Sequence, residues 1–253
     1  MFPEQRQRKI LELIRSGAAV KVADLSAEFG ASESTIRRDL REMESSGMLE
    51  RTHGGALLAE GTRNEPTFVE KSGLNLAEKV AIARAAAELV KDGDSIILDA
   101  GTTTLQMVQF LQGRRNLTVV TNTLTIAAEF GNQPDIEVIV TGGAIKGNTL
   151  AMVGPVTERT LDEVNADWVF LGINGLDLVR GLTTPTQVEA AVKRRMIAAA
   201  QRVVVLADYS KLGTVAFATV APVTNIHYLI TDKRFDQEAA RELTALGVSV
   251  IFA

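Results

Sequence analysis

The chain has no cysteine among its 253 residues. Disulfides, thiolate metal sites and cysteine nucleophiles are excluded with it. It has two histidines, His53 and His227, far apart in sequence. A histidine-based zinc site, which needs clustered ligands, is therefore not expected. No apolar run approaches the ~20 residues that a membrane span needs. The opening stretch MFPEQRQRKI is charged and then amphipathic, without the apolar core of a secretory signal. A cytoplasmic location is the default expectation. Positive charge is not in excess either. The net charge of -4 argues against a nonspecific nucleic-acid coat, yet a small sequence-reading face can sit on an acidic body.

What is present reads as two regions of a soluble globular protein. A polar stretch over residues 59–75, AEGTRNEPTFVEKSGLN, carries Gly61, Pro66 and Gly73 and separates them. After it, apolar runs at 95–98, 117–121, 136–140, 168–171, 203–207, 227–231 and 248–252 alternate with helical patterns. Strands alternating with helices predict a parallel sheet covered on both faces, an α/β, Rossmann-like arrangement. The second region opens on a predicted helix with Asn75 as N-cap, Glu78 completing a capping box, and a stop at Asp92-Gly93.

Before the break, residues 4–16 predict a helix with Ile10, Leu13 and Ile14 on one face. KVADLSAEFG gives a short second helix ended by Gly30, and a third runs from an N-cap at Ser32 towards Gly47. On the third, Ile36, Leu40 and Met43 form the inward stripe. Ser34, Arg38 and Arg41 point away from it, with Thr35 and Arg37 on the flanks. Two short arms around Gly54-Gly55 signal a hairpin. Three helices and a hairpin make a winged helix-turn-helix. Its third helix would enter a DNA major groove, with Arg51 and His53 on the wing beside it. Overall charge does not decide this, because residues 1–60 hold nine Lys/Arg and ten Asp/Glu. The clustering of Arg37, Arg38 and Arg41 on one helix does more.

The segment STIRRDLREMESSGMLERTHGGALL resembles the DNA-binding part of the DeoR/GlpR family of bacterial sugar-metabolism repressors. The likeness continues through KVAIARAAAELVKDGDSIILDAGTTT, VVTNTLTIA, VTGGAI, GPVTERTL, FLGINGLD and VLADYSKLG, so it covers nearly the whole chain. Within the family, KSGLN, ILDAGTTT and FLGINGLDLVRGLTT look nearest to repressors of amino-sugar or related hexose use. The resemblance implies a cytoplasmic repressor, assembled as a dimer or tetramer, that leaves its operator when a phosphorylated sugar binds the C-terminal domain. It also implies a domain similar in fold to ribose-5-phosphate isomerase and coenzyme A transferases. The expected division is a DNA-binding domain at 1–58, a linker at 59–74, and an effector and oligomerisation domain at 75–253.

In an open parallel sheet, ligands bind beyond the carboxyl ends of the strands. The segments expected there are DAGTTT (99–104), TNT (121–123), TGG (141–143), GINGLD (172–177) and ADYSKLG (207–213). Asp99 ends its strand. Gly101 permits close backbone approach, and Thr102, Thr103 and Thr104 offer N–H and hydroxyl groups at a helix N-terminus, where an anion is favoured. This turn has neither the dinucleotide nor the nucleoside-triphosphate glycine pattern, so a sugar phosphate fits better. Asn122, Gly142, Gly143, Asn174, Asp177, Glu189 and Asp208 are candidates for the rest of the site, with Lys211 as its cation and Lys193 as a weaker one. Glu189 and Lys193 also fit an i, i+4 pair on an exposed helix face.

An aldose–ketose isomerase is the alternative. The similar isomerases carry Asp-Gly-Ala-Asp-Glu where this chain has Ile173-Asn174-Gly175-Leu176-Asp177. Two of three acids are missing, while Glu189 falls at the proton-transferring position. A kept cradle without the acid pair predicts a sensor rather than an enzyme. No catalytic residue, metal or cofactor is expected.

Overall fold

The computed structural model describes residues 3–15, 20–45, 49–52, 55–57, 67–131 and 133–253. The chain divides into two compact units, Met1–Glu65 and Pro66–Ala253.

The first unit runs α1 (Pro3–Arg15), β1 (Val20–Lys21), α2 (Val22–Phe29), α3 (Glu33–Ser45), β2 (Glu50–Thr52) and β3 (Gly55–Leu57). Gly30 ends α2 at φ 60, a left-handed turn that costs a glycine little and sends the chain directly into α3. Ser32 caps α3, its hydroxyl accepting the Thr35 N–H at 3.2 Å. Ile36, Leu40 and Met43 are buried against Ile10, Ile14 and Leu25. An ion pair the periodicity does not announce locks α1 to α3. Arg6 donates to both carboxylate oxygens of Asp39, with both side chains buried. The hairpin pairs Thr52 with Gly55, and β1 adds to its far side in the order β1-β3-β2. A Cβ on Gly55 would fall 1.8 Å from the Val20 carbonyl oxygen. That glycine therefore serves the close approach of β1.

The second unit begins with α4 (Phe68–Gly73) and α5 (Leu76–Ala87). It continues through β4 (Ser95–Leu98), α6 (Thr102–Leu111), β5 (Leu117–Thr121), α7 (Leu124–Glu129), β6 (Ile136–Val140), β7 (Ala144–Lys146), β8 (Ala151–Val153) and α8 (Pro155–Asp162). Then come β9 (Ala166–Gly172), β10 (Gly175–Asp177), β11 (Gly181–Thr184), α9 (Gln187–Ala198), β12 (Ala200–Leu206), β13 (Ala218–Ala221), β14 (Tyr228–Thr231), α10 (Gln237–Ala245) and β15 (Ser249–Phe252). Seven strands form one sheet in the order β15-β14-β12-β9-β4-β5-β6, every adjacent pair parallel. These are the seven apolar runs read from the sequence, with β9 and β12 beginning a few residues earlier. Side chains alternate across the sheet. Ile96, Leu98, Trp168, Phe170, Val204 and Leu206 pack under α5, α6 and α7. Ile97, Val169, Leu171 and Val203 pack under α8 and α9, and Val205 and Leu229 under α10. Among the described residues no helix is long and apolar enough to cross a membrane.

Four local expectations are corrected. Asn75 precedes α5 at φ 49 and its side chain makes no cap; its amide is committed to Asp208 Oδ1 at 3.0 Å. Glu78 pairs with Arg234 instead of closing a capping box. The box lies one helix earlier, between Thr67 and Glu70 at the start of α4, inside the stretch expected to be linker. The regular part of α5 ends at Ala87, and Asp92 and Gly93 form the turn into β4. Gly175–Asp177 of the expected GINGLD loop is a strand, part of a small antiparallel sheet β10-β11-β13.

Candidate nucleic-acid interface and effector site

On α3 the exposed face carries Ser34, Arg37, Arg38 and Arg41, with Thr35 partly covered. Ser32, Ser34 and Thr35 gather three hydroxyls at its start, Ser32 Oγ lying 2.8 Å from each of the other two. Arg37 pairs with Glu33 at 2.9 Å and Arg38 with Glu42 at 3.1 Å, both exposed i, i+4 contacts. Such pairs are worth only about 0.3–0.5 kcal/mol, so both guanidinium groups can leave them at little cost. Arg41 Nε donates to the Arg37 carbonyl at 3.3 Å. Arg51 lies on β2. His53 is outside the described residues.

Because all seven strands of the large sheet run parallel, their carboxyl ends share one edge. Along it stand Asp232, Asp208, Gly172, Asp99, Asn122 and Thr141, each at the end of its strand or within two residues of it. Thr104 turns its hydroxyl back onto the Asp99 and Gly101 carbonyls, at 2.6 and 2.9 Å, and so fixes the glycine turn. Asn122 fixes it from the neighbouring strand, accepting the Ala100 N–H at 2.8 Å and donating to the Met152 carbonyl. The hydroxyls of Thr102 and Thr103 make no such bond among the described residues, and the first N–H groups of α6 have no helical acceptor.

Three carboxylates at this edge are held on one oxygen each. Asp99 Oδ2 takes the Lys193 ammonium and the Gly172 N–H. Burial pushes the Asp99 carboxyl up, opposed by the charge and hydrogen bond of Lys193. Glu189 Oε2 takes Lys146 at 2.9 Å and the Thr186 hydroxyl at 2.6 Å. Asp208 Oδ1 takes Asn75 and the N–H and hydroxyl of Ser210. In each, the second oxygen accepts no hydrogen bond among the described residues. Glu189 and Lys193 are both buried and pair with different partners, so the exposed i, i+4 arrangement is overturned.

Two lysines escaped the sequence reading. Lys146 rides on β7. Lys79 is buried on α5, donates to the Lys71 carbonyl, and senses the charges of Asp208 and Lys211. Desolvation pulls its ammonium down to about 8. The available signal was a lysine at i in the buried stripe Lys79, Ala83, Ala86. Lys211, part-buried in the turn after Asp208, makes no ion pair among the described residues.

Other candidates make contacts within the fold. Asp177 Oδ1 accepts Val179 and Arg180 N–H groups at 2.9 and 2.7 Å, closing the β10–β11 turn. The Gly142 carbonyl accepts the Thr157 hydroxyl at 2.6 Å. A Cβ on Gly143, at φ 114, would sit 2.2 Å from Thr157 Oγ1. Both glycines thus seat α8. Asn174 Oδ1 accepts the Thr184 hydroxyl at 3.1 Å.

Residues 6–62 match the DeoR-like helix-turn-helix domain and residues 74–233 the DeoR C terminal sensor domain. The chain belongs to the DeoR family. It is 40% identical over 99% of its length, and 98% of the relative's, to the HTH-type transcriptional regulator GlpR of Haloferax volcanii. It is 33% identical to a putative aga operon transcriptional repressor of Escherichia coli O157:H7, over 98% and 93% of the two chains. A ribose 5-phosphate isomerase structure from Methanocaldococcus jannaschii is a distant likeness, with 21% identity, 55% of each chain covered and a TM-score of 0.40. This DeoR-family chain is a transcriptional regulator, not an enzyme.

Proposed function

We propose that this regulator represses a carbohydrate-utilisation operon in the cytoplasm as a dimer or tetramer, binding double-stranded operator DNA through α3 and the β2–β3 wing. A phosphorylated sugar bound at the strand-end edge releases it. One observation carries the ligand class: open donors and open acceptors stand on the same edge. The N–H groups of Gly101–Thr104 and the hydroxyls of Thr102 and Thr103, with Lys211, suit a phosphate. The open oxygens of Asp99, Glu189 and Asp208 suit sugar hydroxyls. Asn122 and Thr104 support this cradle from behind. The name of the aga operon relative agrees with a sugar as the signal.

The isomerase alternative gains nothing from the geometry. Of the three acid positions only Asp177 carries an acid, and its Oδ1 is taken up by the hairpin turn. Fluorescence anisotropy on DNA from upstream of the chain's own gene, at fixed salt, tests the proposal against a panel of sugar phosphates and their free sugars. Tight binding abolished by one phosphorylated sugar is the expected result. Binding no tighter than to random DNA would overturn it.

A further inference from the structure

The β7–β8 hairpin touches both the ligand edge and the helix that opens the second unit. Its first strand presents Lys146 to Glu189 in a pair whose side chains are 20% and 8% exposed. Its turn gives the Asn148 carbonyl to the Phe68 N–H at 2.8 Å. Its return is stitched to the end of β5: Met152 N–H donates to the Asn122 carbonyl at 2.7 Å, and Thr123 Oγ1 to the Leu150 carbonyl at 3.1 Å. Between these anchors Leu150 is held at φ 58, a left-handed geometry that a non-glycine residue adopts at a cost and that persists only where its surroundings impose it. Phe68 is the first residue of α4, just past the division between the units at Glu65 and Pro66.

We propose that Lys146 is a ligand-contacting residue, and that its hairpin is the strap through which the ligand acts on α4. The inference rests on the anion-site reading above. Without ligand, Glu189 holds the ammonium. A phosphorylated ligand brings up to two negative charges to the same edge and competes for it. Exchange of partner moves β7, and the strained turn carries that movement to the Asn148–Phe68 bond. The ligand thereby distinguishes two arrangements of one element, which is what a population shift requires.

The two ends of the strap separate by substitution in the full chain. Lys146→Met removes the ligand contact, and Lys146→Arg keeps the charge. Phe68→Pro removes the N–H that bonds Asn148. Proline suits this first helical position, and Thr67 before it already has the extended φ −59, ψ 162 that a following proline demands. Phe68→Ala removes the ring and keeps the N–H. Ligand affinity is read by calorimetry and DNA release by anisotropy, using fructose 6-phosphate, glucosamine 6-phosphate, ribose 5-phosphate and inorganic phosphate.

Lys146→Met is expected to bind the recognised sugar phosphate at least tenfold more weakly, and Lys146→Arg to recover most of the loss. Phe68→Pro is expected to bind that sugar and DNA as the parent does, yet to need at least tenfold more sugar for release. Phe68→Ala is expected to release normally. Unchanged affinity in Lys146→Met overturns the contact, and normal release in Phe68→Pro overturns the strap. If the parent chain binds none of the sugar phosphates, the anion-site reading falls and takes the proposal with it. If Phe68→Pro loses cooperative unfolding, hydrogen exchange at Val69–Lys71 in Lys146→Met decides instead. Faster exchange than in the parent supports the strap, and identical exchange overturns it.

Discussion

Lys193 on α9 donates to the carboxylate of Asp99, 94 residues earlier in sequence, and from the same ammonium to the Gly172 carbonyl at 2.8 Å. One side chain thus ties the ends of two adjacent strands, β4 and β9, to the helix above them. Both charged groups are buried, so the contact is worth most as a constraint on geometry: it fixes which Asp99 oxygen is bonded and which is left open.

Breaking this pair from one side leaves a buried charge without compensation. Lys193→Met is expected to lower stability in urea by about 3–5 kcal/mol at neutral pH. Pairing it with Asp99→Asn should restore much of the loss, because the amide oxygen still accepts the Gly172 N–H. Since burial already pushes the Asp99 carboxyl up, the folded single variant binds more protons than its unfolded chain as pH falls, and its deficit should shrink from pH 8 to pH 5. Equal deficits in the single and double variants would disprove the coupling.

Arg38 is the exposed guanidinium nearest the middle of the α3 outer face, and among the described residues it pairs only with Glu42 on its own helix. Arg38→Ala is expected to weaken operator binding by about 1–3 kcal/mol while leaving the fold intact. Arg6→Ala should instead unfold the first unit more readily, because Asp39 would lose its buried partner. Anisotropy separates the two from a thermal melt, and unchanged affinity in Arg38→Ala would remove α3 from the groove.

Lys211 stands beside Lys79 with Asp208 as the nearby acid that both Lys79 and the turn share. On the proposed function, a divalent phosphate bound there would relieve that crowding of ammonium groups. Lys211→Ala is expected to bind DNA normally and to need roughly tenfold or more ligand for release, as for the loss of one charged hydrogen bond worth about 1.5–3 kcal/mol. Release at the parent's ligand concentration would take Lys211 out of the site.

The architecture was legible because strand and helix periods differ. Ile96 and Leu98 against Ile97, or Phe170 against Val169, alternate as a strand between two helix layers must. The first unit was legible for the same reason, through Ile36, Leu40 and Met43. Short strands such as β1 and β10 were not, since two or three residues carry no period. The proposed effector site was half visible. Gly101 to Thr104 and Asp208 declare themselves by following an apolar run. Lys79 and Lys146 do not, because their importance comes from partners far away in sequence. Asp177 and Gly143 show why residue type alone does not assign a role: a turn and a helix contact use the same residue types as a ligand does.

Lys79 gives a pH signature that belongs to one group. Desolvation lowers its folded value to about 8, against 10.5 for an ordinary lysine. Between those values the unfolded chain keeps the proton that the folded chain has released, so the unfolded state binds more protons there. Stability contributed by this residue therefore rises with pH across that window and is flat below it. Lys79→Met removes the group without removing the apolar stem that fills the α5 stripe. The difference between parent and variant urea midpoints, measured at pH 7.5 and again at pH 9.5, should shift in favour of the parent at the higher pH. If that difference stays constant, the Lys79 ammonium is not the desolvated charge that its burial and its bond to the Lys71 carbonyl imply.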